Sequence, residues 1–467
     1  MNIARQFYRN AIDLHIFHQE EQVDMTSGPI ALQLVCFMLP ILVSQLLQQF
    51  YNITDTIFVG RYIGAAALAA VGTTGLLLSV IVNFIIGLSA GVSVIVSQLY
   101  GSKAYQELNN CVQTILVACA AIGLLATIIP LCFLPNILGW LETPVDIIPM
   151  ASCYLHICLW GIIPQLLYNA GTAIMRSLGN TCCALYYLIV SVVINLFLDY
   201  ILLVFFDCGI AGAAWATLAA QIASAVLIIV KILTVEGEWR FIPQKELINI
   251  AYLKELMTKG IPAGLQAVFM SISSLVIQTY INSFGYAAMA GMTIYARVEG
   301  FLYYPLFSFG IALTSFIGQN VGAKKYARVN EGIKISIKLT VIGSIITSIF
   351  AVYYAGNILA LFTDDKAVLA NGLEAVLYNL PFYWLYAINQ VYIGGIRGLG
   401  HTFYPMLTSL CSYCVFRVAW CQGWDLWFHD MRIVYTSYDT SWILMLGLLY
   451  CGYRYYFAKA IQLQPKI

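Results

Sequence analysis

The stretch RSLGNT, residues 176–181, returns as RGLGHT at residues 397–402, 221 positions later. The same offset carries Gly64-Ala65-Ala66-Ala67 onto Gly285-Tyr286-Ala287-Ala288, and Gln98, Gly101 and Lys103 onto Gln319, Gly322 and Lys324. It also carries Tyr105 and Asn109 onto Tyr326 and Asn330, and Asn136-Ile137-Leu138 onto Asn357-Ile358-Leu359. One constant offset at five separated places marks an internal duplication.

Composition says what was duplicated. The chain is 61% hydrophobic and 10% charged, against about 25% charged in a soluble domain. Its mean hydropathy is +0.82. The apolar runs are about 20 residues or longer, enough for helices to cross a hydrocarbon core roughly 30 Å thick. The strict alternation of a membrane β-barrel is missing. The expected fold is therefore an all-α integral membrane protein. A net charge of +1 offers no global attraction for nucleic acid. The thirteen cysteines are scattered through apolar runs. Cys411 and Cys414 form a CxxC with no second pair nearby, which reads as packing rather than a zinc or redox site. The first residues lack a cleavable signal pattern.

Hydropathy and loop signals predict twelve spans. Those of the first copy are 29–57, 64–100, 106–132, 147–170, 181–206 and 210–233. Those of the second are 252–280, 286–321, 328–353, 367–393, 403–422 and 433–458. The expected organisation is a cytoplasmic lead-in at 1–28, an N-lobe at 29–233, a cytoplasmic linker at 234–250 and a C-lobe at 251–467. With the N-terminus inside, 18 Lys and Arg fall in inside segments and 3 in outside loops. The positive-inside rule then places both termini in the cytoplasm. Six spans per copy is an even number, so both copies insert the same way. Two pseudo-symmetric six-helix bundles related by an axis along the membrane normal follow, an arrangement typical of secondary transporters. A P-loop is missing, which excludes a pump built on one.

Polar residues inside spans mark candidate function, because a carboxylate at a helix centre costs roughly 2.5 to 3.5 kcal/mol. Asp55 ends the first span, after Pro40, which permits a bend. Gln45, Gln48, Asn52 and Asp55 follow 3-4-3 spacing and share one helix face. Asn195 and Asp199 are four apart, as are Thr217 and Gln221 in the next span. Hard oxygens and neighbouring acids suit either a proton relay or a Na⁺ site. A structural role, with Asp55 capping its helix and Asp199 bonding to backbone, is the plainer alternative. The acids are not duplicated, since Ile277 and Trp420 stand at their repeat positions. The second copy offers Arg297, Glu299, Asn389, Gln390 and Arg417 instead, with Glu299 open between functional and structural roles. His156 is a lone intramembrane histidine, expected to pack and hydrogen-bond inside the bundle.

At this point the sequence resembles a known family. LPILVSQLLQQFYNITDTIFVGRYIGAAALAAVG, SQLYGSK and IMRSLGNT, with the second-half copies GQNVGAKK and GIRGLGHT, resemble the multidrug and toxic compound extrusion (MATE) transporters from about Pro29 to Phe416. The resemblance implies two six-helix lobes, V-shaped around a central cavity. It implies export of small organic, often cationic compounds in exchange for H⁺ or Na⁺, with no further cofactor. It also implies a monomer in the inner membrane that is not an enzyme. It favours the DinF-like branch, whose N-lobe acids, asparagine and threonine match Asp55, Asp199, Asn195 and Thr217. That branch's bend-capable proline matches Pro40. The NorM-like branch has an aspartate that would fall at Tyr386. The expected cation-coupling set, H⁺ or Na⁺, is Asp55, Asn195, Asp199 and Thr217. The expected cavity and gating set is Pro40, Gln48, Asn52, Gln221, Glu299, Tyr386 and Asn389. The alternative is a flippase or exporter of lipid-linked or polysaccharide precursors from the same superfamily. Such carriers often line their cavity with cations, and here Arg297 and Arg417 are the two cations within spans beyond those counted in the inside segments. CQGWDLWFHDM at 421–431 and Asp439 depart from the family's pattern.

Overall fold

A computed structural model describes residues 23–140, 143–235, 239–425, 427–428 and 430–462. Residues 1–22 of the expected lead-in and 236–238 of the linker lie outside the described residues. No β-strand occurs among the described residues.

The first copy opens with α1 (Ile30–Phe58), which continues as a π-helical turn over Val59–Ile63. Then come α2 (Ala65–Gly101), α3 (Tyr105–Cys132) and the short α4 (Leu134–Trp140). The fourth crossing is split at Gly161 into α5 (Ile148–Trp160) and α6 (Ile162–Ser177). The fifth is α7 (Cys182–Asp199), extended by a π segment at Tyr200–Phe205, and the sixth is α8 (Gly209–Leu233). The second copy has α9 (Ile250–Ser283), α10 (Tyr286–Gly322), α11 (Tyr326–Tyr353) and the short α12 (Ala355–Ala360). Its fourth crossing is α13 (Lys366–Asn379) and α14 (Tyr383–Gly398), joined by a 3₁₀ turn. The fifth is α15 (Phe403–Ser409), a π segment at Leu410–Phe416 and α16 (Arg417–Asp425). The last is α17 (Met431–Gln462). Among the described residues, nine helices are long and apolar enough to span by themselves. The other three crossings are the two interrupted ones of the second copy and α17, which carries Arg432 and Asp439.

The duplication is written into the backbone. α2 and α10, α3 and α11, and α6 and α14 begin and end 221 residues apart. Lys103 and Lys324 both take positive φ, 58° and 59°. Each follows a helix end closed by a six-residue hydrogen bond, Ala104 N to Leu99 O and Lys325 N to Asn320 O, the usual left-handed helix stop. Gly179 and Gly400 repeat it at φ 95° and 99°. At Gly179 a Cβ would collide with the backbone of Val23.

The residues cluster into two compact units. One comprises Met1–Met25 with Leu39–Met257, the other Thr26–Met38 with Thr258–Ile467. The first is packed around Leu88, Val92, Ile95, Ile115, Leu166 and Ile228. The charged stretch after α8 is fastened along α3. Gln113 accepts from Gln244 N (2.7 Å) and donates to Glu246 O (2.8 Å), and Thr114 Oγ1 accepts from Asn249 N (3.0 Å). In the second unit α10 and α14 approach so closely that a Cβ on Gly394 would stand 2.7 Å from Gly310 O. Small residues permit such backbone contact where lipid provides no hydrophobic drive between helices. Arg328 of the same unit grips the start of α1, donating to Gly28 O (2.8 Å), Ser27 O (2.9 Å) and Gln33 Oε1 (2.7 Å). His156 departs from expectation. It lies exposed on α5, because Ala151, Tyr154, Leu155 and Ile157 take the buried positions. None of the thirteen cysteines, all among the described residues, is in a disulfide, and Cys414 Sγ donates to Phe269 O (3.2 Å).

Candidate functional site

The polar residues of α1 and α7 converge in the first unit. Asp199 is the last residue of regular α7, directly before its π segment, and Asp55 stands four residues before the π turn that extends α1. A π turn adds a residue to the helix and re-aims its neighbours, and such turns recur at functional sites. Asp199 and Asn195 are fully buried. Asp55 and Asp199 stand close enough for each carboxyl group to act on the other, and Asn195 lies beside Asp199 from one turn back.

Both are acceptor groups when ionised. Asp55 Oδ1, both oxygens of Asp199 and both amide atoms of Asn195 are buried without a hydrogen-bond partner. An unsatisfied buried polar group costs about 1–3 kcal/mol, and more if charged. A proton shared between the two carboxyl groups pairs one oxygen of each, whereas a small hard cation can be ligated by several of these oxygens at once, the Asn195 amide oxygen included. The oxygen donor set fits either a proton or a small hard cation such as Na⁺.

Thr217 joins this group through a residue that sequence reading missed. Tyr51 Oη donates to Thr217 Oγ1 (3.3 Å), and Tyr51 stands close enough to both acids to feel their charge. Tyr154 and Cys158 on α5 complete the surroundings of Asp55. Tyr51 precedes Asp55 by four residues, so helical spacing could have found it. Nothing in the sequence singles out Tyr154 or Cys158.

The remaining expected residues divide between the units. Pro40 is buried, and Ser44 Oγ returns a hydrogen bond to its carbonyl (2.7 Å). Gln48 is half-buried and Asn52 exposed. Gln221 is half-buried, and its Oε1 lies over Gly161, leaving no room for a Cβ there. In the second unit Glu299 Oε1 accepts from Tyr383 Oη (3.2 Å). Tyr386 is buried among Tyr303, Tyr383 and Trp442, with Gln390 donating to its hydroxyl. Asn389 is fully buried and donates to Trp442 O (3.1 Å).

Comparison with known proteins follows the duplication. A family model described as MatE matches residues 40–201 and 262–421, once in each copy. The chain is 26% identical to the probable multidrug resistance protein YoeA of Bacillus subtilis (strain 168), over 91% of this chain and 93% of that protein. It is 25% identical to the probable multidrug resistance protein YpnP of the same organism, over 94% and 98%. Its fold is similar to a crystal structure of MATE in the bent conformation, with TM-score 0.88 at 19% identity, covering 95% of this chain and 99% of that one. It is equally similar to the outward-facing conformation of a multidrug resistance MATE family transporter of the MOP superfamily, with TM-score 0.87 at 19% identity and coverage of 95% and 100%.

Proposed function

Because the chain belongs to the MATE family, a family of multidrug efflux transporters, we propose that it is an antiporter whose coupling ion, H⁺ or Na⁺, binds at Asp55 and Asp199. The observation that carries this reading is the acid pair, Asp199 fully buried and Asp55 half-buried, with three of its oxygens buried and without a donor. Two carboxyl groups that face each other without a counter-charge are stable only when a cation is shared between them. An incoming H⁺ or Na⁺ supplies that cation, with Asn195 and Thr217 as further oxygen ligands. Loss of the ion leaves a site that favours water, and hence an open state. The ion thus binds the two states differently, which is what a coupling ion must do.

In this reading the lobes 29–233 and 251–467 move about the linker 234–250, in the inner membrane, with both termini cytoplasmic and the monomer as working unit. Pro40 lacks a backbone donor and leaves one carbonyl of α1 free, so α1 can bend there at little cost. Structures of MATE are described in bent and in straight conformations, which supports such a hinge. The cargo is an organic, often cationic compound. Gln48, Asn52 and Gln221 in the first lobe and Glu299, Tyr386 and Asn389 in the second are the residues proposed to meet it or gate its path.

The test is efflux of a fluorescent organic cation from proteoliposomes, under a pH gradient and a Na⁺ gradient imposed separately. Wild type should respond to one gradient, which identifies the ion, and Asp55→Asn should lose the response. Normal ion-driven transport by both Asp55→Asn and Asp199→Asn would sink the proposal.

A further inference from the structure

The second unit holds three charged groups that the proposed coupling chemistry does not use, Arg417 and Asp439 buried and Glu299 half-buried. Arg417 opens α16 directly after the π segment Leu410–Phe416 and is 6% exposed. Its Nε and Nη2 both donate to Ser441 Oγ (3.1 and 2.7 Å). Its guanidinium is held between two rings, 4.8 Å from the centroid of Tyr413 and 4.3 Å from that of Tyr438. Glu299 on α10 and Asp439 on α17 both lie within electrostatic reach of it. Asp439 Oδ1 is buried without a hydrogen-bond partner. The other titratable groups facing the cluster are tyrosines, Tyr295 and Tyr303 on α10, Tyr383 and Tyr386 on α14, and Tyr438 on α17, with Cys414 and Cys421 beside the arginine's own helix segment.

The repeat gives this cluster its meaning. Adding 221 to Asn195 leads to Phe416, so Arg417 stands one residue past the place of a proposed ion ligand. Adding 221 to Thr217 leads to Tyr438, one of the two rings that clasp the guanidinium. A π segment adjoins the buried charged residue of the fifth crossing in both units, following Asp199 in the first and preceding Arg417 in the second. The first unit presents two carboxyls there, and the groups acting on them are Tyr51, Tyr154, Cys158 and Asn195, none of them a cation. The second unit presents two carboxyls and a fixed guanidinium.

We propose that Arg417 is a tethered counter-cation that confines ion coupling to the first unit. It stands in the second unit where the first receives the transported ion, and it determines which lobe is ion-sensitive. Arg417 supplies one positive charge for Glu299 and Asp439, and one retained proton makes the cluster neutral. No ion then has to enter or leave the second unit during transport. Arg suits this role, because it keeps its charge when buried and its flat faces stack on aromatic rings.

This inference rests on the coupling role of Asp55 and Asp199, and the test separates the two. It counts cations bound by the purified full-length chain, as radioactive Na⁺ at equilibrium and as protons taken up on a pH jump, each as a difference from wild type. Asp55→Asn with Asp199→Asn should lose the wild-type cation. The triple variant Glu299→Gln, Asp439→Asn, Arg417→Met should keep it. Arg417→Gln should bind one cation more than wild type, and adding Glu299→Gln and Asp439→Asn should remove the extra one. A triple variant that loses the wild-type cation overturns the proposal, as does a folded Arg417→Gln with an unchanged count. If Arg417→Gln does not fold, the uncharged triple variant decides alone. If the first-unit double variant keeps its cation, the coupling role of Asp55 and Asp199 falls. If that variant loses it and only the Arg417 results fail, the coupling role stands and this inference does not.

Discussion

Asp199→Asn is expected to stabilise the protein while ending its transport. Asp199 is fully buried, and both its oxygens lack a donor. Across from it, Asp55 Oδ1 is also buried and unpartnered. Asparagine keeps the shape of the side chain but places an amide N–H₂ beside that oxygen. One contact between two acceptors becomes a hydrogen bond to a carboxylate, worth about 1.5–3 kcal/mol. In the proposed mechanism the coupling ion supplies the missing interaction in wild type, and an ion at a hundred times its dissociation constant stabilises by about 2.7 kcal/mol. The variant should therefore melt above ion-free wild type, and the rise in melting temperature that the ion produces in wild type should vanish. In proteoliposomes, and for an uncharged cargo, one coupling ion moved inward through 100 mV carries one net charge and supplies about 2.3 kcal/mol. That sustains a substrate gradient of about fiftyfold, at 1.36 kcal/mol per factor of ten. Asp199→Asn should leave a ratio near one at the same potential. The assay pairs thermal melting with and without the ion and the steady-state gradient. A variant that melts below ion-free wild type, still responds to the ion and still builds the gradient would refute the reasoning.

Two further outcomes follow from other places in the fold. Gly394→Ala should cost about 1–3 kcal/mol by overpacking, because its Cβ would press on the Gly310 carbonyl, and comparing melting temperatures and purified yield with wild type checks it. His401, in the loop between α14 and α15, is held below its ordinary pKa of 6.5 by burial, with Lys459 and Lys259 adding repulsion. Between its folded value and 6.5 the unfolded chain binds a proton that the folded chain does not, so stability rises with pH across that window. It is fully present above 6.5 and lost on acidification, and His401→Gln should flatten this slope in melting curves taken at pH values from neutral downward.

The sequence by itself determined the class and the topology. Helices in a membrane must be about as long as the bilayer is thick, so composition and run length are enough to find them. An internal offset needs no structure to be seen, and it reappeared in helix ends and in the left-handed residues Lys103 and Lys324. The acids were legible for a similar reason, since a carboxylate in an apolar run is costly wherever it points. Helical spacing even put Asn195 and Asp199 on one face.

What only the tertiary structure decided is which of these groups meet. Asp55 and Asp199 are 144 positions apart in the chain, and their facing depends on how α1 and α7 pack and on the π segments that re-aim both ends. Hydrogen-bond registers shift by one residue at a π turn without a fixed sequence mark, so spacing rules could not foresee it. The same limit hid Tyr51 as the link to Thr217 and left His156 misplaced. It also hid Arg417, which looked like one of two stray cations until packing set it between Tyr413 and Tyr438, within reach of Glu299 and Asp439. Periodicity fixes which residues share a face, but charge compensation is a property of neighbours in space, and neighbours across helices are chosen by side-chain packing alone.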